Sequence, residues 1–178
     1  QTDTGGYDPQ NNSRTERRIG LIKERVRALL FQCTAGLGYY DSLWGEALKH
    51  ANYLINRTQF SDGNTPYTKL TSKEYEFGDD DYVFGQYVRY KVDKEKKASE
   101  WEGSSARAIW VGREDDGSSH YVVPIVWDPD ANLYNLKPTI RASRVTHIGE
   151  PNKLEFPLIL GPGEGKPIEE FEDFMSKL

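Results

Sequence analysis

The stretch from Asn11 to Cys33, NNSRTERRIGLIKERVRALLFQC, decides how the rest of the chain is read. Its apolar residues Ile19, Ile22, Val26, Leu29, Leu30 and Cys33 recur at intervals of three and four, so they share one stripe of an α-helix. Ser13 followed three residues later by Glu16 is a capping-box spacing, which predicts a helix starting at Ser13 with Glu16 at its mouth. At about 100° per residue, Glu16, Gly20, Lys23 and Arg27 lie on one line beside that stripe. One face should be buried, and the next should carry an acid followed by bases.

After Cys33 the run Thr34-Ala35-Gly36-Leu37-Gly38 supplies a helix stop, and Asp41 or Ser42 starts a second helix. In that helix Trp44, Ala47, Leu48, Ala51, Leu54 and Ile55 repeat at three and four. Two amphipathic helices with a short loop between them should pack as an antiparallel hairpin, with Trp44 as a buried anchor. From Gln59 to Asp81 the polar, acidic sequence reads as a connector with a short helix near Pro66 to Lys73. Near Phe84 the period changes from 3.6 to 2. Strands are expected at Val88 to Val92, Ala106 to Arg113, His120 to Trp127, Leu133 to Leu136 and Thr139 to Val145, with Pro124 restricting the third to an edge or a bulge. Five short antiparallel strands suit a small closed barrel. A Pro- and Gly-rich stretch from Gly149 leads to a final acidic helix opened by Pro167, with Phe171, Phe174, Met175 and Leu178 on one stripe. The predicted fold class is α+β: a helical hairpin, a five-stranded antiparallel barrel and a C-terminal acidic helix.

The chain has 178 residues and a formal net charge of −5, unevenly spread. Residues 1–57 carry +2, residues 58–80 carry −3, residues 81–149 are neutral and residues 150–178 carry −4. The segment Ser13 to Cys33 alone has six bases against two acids, so nucleic acid would be met locally and not by a wholly basic surface. Cys33 is the only cysteine, which excludes an intrachain disulfide and most zinc sites. His50, His120 and His147 are scattered and read as packed or surface residues. No apolar run is long enough for a transmembrane helix, no signal peptide opens the chain, and no membrane partner is expected. The reading is therefore intracellular. Gly161 to Lys166 lacks the spacing of a phosphate-binding loop.

The string Tyr7-Asp8-Pro9-Gln10-Asn11-Asn12-Ser13-Arg14-Thr15-Glu16-Arg17 resembles the end of the integrase catalytic core in copia-type retrotransposons, with Ser13 where that family has Gly. Further strings follow in the family's order: Trp44-Gly45-Glu46-Ala47, Tyr53-Leu54-Ile55-Asn56-Arg57, Thr65-Pro66-Tyr67, Phe84-Gly85, Ile109-Trp110-Val111-Gly112 and Ser143-Arg144-Val145. The resemblance implies residues 1–57 as the last two helices of a ribonuclease-H-like core, 58–81 as a connector, 82–148 as an SH3-like barrel and 149–178 as a tail. It implies Glu16 as the third carboxylate of a two-magnesium site for DNA strand transfer, with both catalytic and metal-binding roles. Independently, Arg17, Arg18, Lys23, Arg25 and Arg27 are expected to spread over the solvent side of the first helix and are its DNA-binding candidates.

The two aspartates that complete such a site lie several tens of residues upstream in the family, and Asp3 and Asp8 do not replace them. The chain is thus expected to be an inactive fragment of a longer Pol polyprotein, which acts in the nucleus and assembles as a homo-oligomer on DNA. The competing class is a non-catalytic transposon-derived module that binds nucleic acid or protein. A third is an aromatic cage for methylated lysine built from Tyr87, Tyr90, Trp110 and Trp127.

Overall fold

The computed structural model describes residues 9–36, 38–58, 63–78, 82–92, 104–115, 117–148 and 154–160. Asp3, Asp8, the 94–97 loop and the acidic helix expected from Pro167 lie outside the described residues. The first helix, α1, spans Pro9–Thr34 and the second, α2, Tyr40–Thr58. They pack as the expected hairpin. The start of α1 corrects the capping-box reading. Proline is suited to the first helical position, where its fixed φ is already helical and its missing N–H is not needed. The helix therefore begins at Pro9, which places Ser13 and Glu16 inside it, and its first turn holds no acid.

The hairpin loop is set by backbone conformation. Ala35 (φ 48°) and Gly36 (φ 86°) take left-handed conformations that end α1, and the Ala35 N–H donates to the Phe31 carbonyl at 2.8 Å. Tyr39 then anchors the loop to the sheet, its hydroxyl accepting the Tyr134 N–H at 2.9 Å.

The connector forms α3 at Pro66–Thr71, capped by Thr65, whose hydroxyl accepts the Thr68 N–H at 3.0 Å. Six strands follow: β1 Tyr87–Lys91, β2 Ser105–Arg113, β3 His120–Asp128, β4 Leu133–Leu136, β5 Ile140–Ala142 and β6 Val145–His147. A short helix, α4, spans Pro157–Leu160. The strands make one open antiparallel sheet in the order β4-β3-β2-β1-β6, with β5 also on β3. The segment expected as one strand from Thr139 to Val145 is thus two. β5 lies along β3 and β6 along β1, and Ser143-Arg144 carries the chain from one to the other.

Pro124 is not on an edge, because β3 lies between β2 and the β4 and β5 strands. It is tolerated at the last rung with β2, opposite Ala108, and between the β5 ladder at residues 120–122 and the β4 ladder at 125–128. Only its carbonyl is needed there, and it accepts the Lys137 N–H at 2.9 Å.

Alternation along the strands separates two clusters of buried side chains. One joins the hairpin (Leu29, Leu30, Cys33, Leu43, Ala47) to Ile109, Val111, Val123 and Ile125, with Leu158 of α4 added. The other takes Val88 from β1, Ala108 and Trp110 from β2, Val122 from β3, Ala142 from β5 and Val145 from β6. Hence β2 is buried on both sides.

Trp44, expected as an anchor, is 57 % exposed. Ala47, Ala51 and Ile55 of the same stripe are fully buried, while Trp44, two turns ahead of Ala51 on nearly the same line, keeps its ring outside.

Among the described residues no helix is long and apolar enough to cross a membrane.

Cys33 packs against Gly85 with its thiol fully buried, and that burial pushes its pKa up to about 12. Thiolate is the reactive form, so the native thiol should resist an aromatic disulfide reagent at pH 8 and react once denaturant is added. Native labelling as fast as that of the unfolded chain would contradict this packing.

Candidate nucleic-acid interface

Arg18 Nη2 donates to Asn56 Oδ1 at 3.1 Å, which marks the antiparallel register of the hairpin. Glu16 therefore stands level with Thr58 at the end of α2, and the first turns of α1 run past it. At 1.5 Å per residue α1 is about 10 Å longer than α2. Glu16, Lys23 and Arg27 are all exposed along one helix line, with exposed Arg17 about 100° to its side. The five candidate bases do not form one face. Arg18 and Arg25 fall about 180–200° round from Glu16, where Arg18 is held to α2 and Arg25 is partly buried. The side that faces solvent thus carries three cations, Arg17, Lys23 and Arg27, and two carboxylates, Glu16 and, beside Arg17, Glu24.

Such a line suits phosphates better than a metal ion. Magnesium needs several hard oxygen ligands, and the neighbours of Glu16 on its line are cations. Among the described residues no group of three or more His, Cys, Asp or Glu side chains is placed to hold a metal. The described residues around Glu16 do not by themselves make a two-metal centre.

A cleft of about 650 Å³ opens between α2 and the β2–β3 turn, with Glu46, Lys49, His50, Asn56, Arg113 and Tyr121 on its walls. Its carboxylates are already engaged. Glu46 accepts from Thr139 at 2.8 Å, Glu114 pairs with Arg141, and Asp115 pairs with Arg57 at 3.0 Å. The cleft offers hydrogen bonds of both kinds, and its acids are spent on the fold.

Next to it lies a cluster that reading residue by residue does not reveal. The Arg57 side chain is only 3 % exposed, and its guanidinium carbon sits 3.7 Å above the Tyr53 ring and 4.9 Å from the Tyr67 and Tyr75 rings. Tyr53 and Tyr75 are hydrogen-bonded through their hydroxyls. Helix α2, helix α3, the connector and the β2–β3 turn thus meet on one cation. The signal was present as Tyr53 and Arg57 at i and i+4, followed by Thr65-Pro66-Tyr67. What was missing was the partner ring, Tyr75.

The other proposed cage does not assemble. Trp110 and Tyr90 belong to one buried cluster and Tyr87 and Trp127 to the other, across the sheet. Trp110 is buried, with its indole N–H donated to His120 Nδ1 at 3.2 Å.

No protein-family model matches the chain, and no solved structure matches it.

Proposed function

We infer that this chain is the carboxyl-terminal part of a copia-type integrase, serving to bind and position DNA. The observation that carries the reading is the exposed line Glu16-Lys23-Arg27, with Arg17 beside it, on a helix that overruns its partner. Support also comes from the motif strings, four of which have a clear structural task. Pro9 opens α1, Tyr53 to Arg57 and Thr65-Pro66-Tyr67 build one aromatic cluster, and Phe84-Gly85 seats the sheet on Cys33.

An SH3-like closure of the sheet belongs to the same proposal. It is supported by the two-residue link between β5 and β6, which lie on opposite sides of the β1–β2–β3 ladder, and by an inner cluster drawn from five strands. In a longer polyprotein Glu16 would be one of three metal ligands. No bond-making step is assigned to this chain, since its described residues do not complete the site.

The function proposed is binding. Each phosphate neutralised on duplex DNA adds roughly 0.9 to the slope of log affinity against log salt. Three cations along one face predict a slope of about −3, with tighter binding at low salt. Lys23→Glu should weaken binding and lower the slope by about one unit. Glu16→Gln should leave affinity nearly unchanged or slightly improved, since it removes a negative charge from the phosphate path. A filter-binding salt series on the three proteins tests this. Binding insensitive to salt, or equal binding by Lys23→Glu, would remove the reading.

A further inference from the structure

The cleft between α2 and the β2–β3 turn contains a glycine that the backbone does not require. β2 and β3 change register between Trp110 and Gly112, so Val111 is an extra residue and the strand bulges beside the cleft. Gly112 does not take a left-handed φ. A Cβ added to it would meet Tyr121 Cδ2 at 3.9 Å and His50 Nδ1 at 4.0 Å, which are ordinary contacts. Glycine weakens a strand interior, because it adds backbone freedom to the unfolded chain and packs nothing. What the missing side chain leaves is open space in the cleft, whose volume of about 650 Å³ falls in the range usual for small-molecule sites.

The polar groups on its walls that the fold has not engaged are donors. Glu46, Glu114 and Asp115 are held by Thr139, Arg141 and Arg57. On α2, Lys49, Asn52 and Asn56 follow at intervals of three and four and share one line along the cleft. Lys49 and Asn52 are exposed, and among the described residues neither side chain is hydrogen-bonded or ion-paired. Asn56 takes Arg18 on its oxygen and keeps its amide hydrogens. Lys49, Arg113 and the partner arginines 18, 57 and 141 set five cations against three carboxylates around the cleft, a balance that favours an anion.

We propose that this cleft binds a single nucleotide whose base is unpaired. Lys49 would hold the phosphate, and the base would fill the space left at Gly112. Tyr121 lines the same cleft, with its hydroxyl donated to Glu114 at 3.5 Å, and a fixed ring is a surface on which any base can stack. Asn52 and Asn56 supply amide groups, whose adjacent donor and acceptor match the edge of a base, adenine above all. Such a nucleotide could arrive free or at the unpaired end of a DNA strand. The proposal rests on the cleft and not on the cations of α1.

Titration calorimetry on the full chain tests it with deoxyadenosine 5′-monophosphate, deoxyadenosine and inorganic phosphate. The monophosphate should bind about tenfold more tightly than either of its parts. Gly112→Val should keep or raise the melting temperature, since valine suits a strand, and should weaken the monophosphate about tenfold by filling the cleft. Lys49→Glu changes an exposed residue and so tests the site without touching the sheet. It should bring the monophosphate down to the affinity of the nucleoside. Filter binding of a duplex with an unpaired overhang beside a blunt duplex separates the two sources. A preference for the overhang that Gly112→Val abolishes assigns the site to a strand end, and equal binding with a tight monophosphate assigns it to the free nucleotide. No binding of the monophosphate at millimolar concentration, equal affinity for monophosphate and inorganic phosphate, or wild-type affinity in Lys49→Glu would each overturn the proposal. The salt series on blunt duplex reports on α1 alone, so either reading can fail without the other.

Discussion

Gly85→Ala is expected to lower stability by about 3 kcal/mol or more, a large share of the total of about 5–15 kcal/mol usual for a domain. Two independent effects add. Gly85 has φ +82°, where a side chain costs about 1–2 kcal/mol. An added Cβ would also lie 2.1 Å from Cys33 Cβ, well inside contact distance. Neither group can retreat. Cys33 is in the middle of the hairpin core, and Gly85 is fixed by its N–H, donated to the Trp110 carbonyl at 2.8 Å. Cys33→Ala should not rescue the variant, because the colliding atom is Cβ. Cys33→Gly should rescue the steric part and leave the φ strain. Urea unfolding of the two single variants and the double variant checks this, and additive losses in the double variant would contradict the contact.

Arg57→Ala is expected to cost about 2–4 kcal/mol, more than its one ion pair accounts for. The partner carboxylate of Asp115 is 88 % exposed, so removing the arginine strands no buried charge. The loss comes instead from three tyrosine faces and from the packing of the aliphatic stem. Among the described residues the Arg57 Nε–H has no acceptor, so the rings carry much of the compensation for burying the cation. Arg57→Lys should recover little, since an ammonium group lacks the planar fork that stacks on rings while reaching Asp115. Arg57→Met should be milder than Arg57→Ala because it refills the space. Asp115→Ala, on the other hand, removes the only carboxylate paired with this cation among the described residues, and it should be costly despite its exposed side chain. Denaturant midpoints order these variants. An Arg57→Ala cost equal to that of an ordinary exposed salt bridge, under about 1 kcal/mol, would show that the cluster does not hold the connector in place.

Local chemistry determined much of this protein. A 3.6-residue period over Ile19 to Cys33 and Trp44 to Ile55 specified two helices, and the period of two after Phe84 specified the first four strands within a residue or two of those found, though not the division of the last into β5 and β6. Thr65-Pro66 specified the cap of α3, and Gly36 the end of α1. These features depend on neighbours a few residues apart, so the sequence alone contains them.

Tertiary structure decided the rest, because it sets distances between residues far apart in the chain. Pro9 or Ser13 could each start α1 by local rules, and the helix ran on to Pro9. Trp44 belonged to an apolar stripe, yet Ala47, Ala51 and Ile55 of that stripe are fully buried while the larger ring is left outside. Pro124 was compatible with an edge, but the partner change from β5 to β4 gave it an interior place without an unmet N–H. Five bases on one helix looked like a single surface until Asn56 drew Arg18 toward α2 and Arg25 turned partly inward. The contacts of Arg57 with Tyr75 and Asp115 span 18 and 58 residues, and no periodicity encodes such separations.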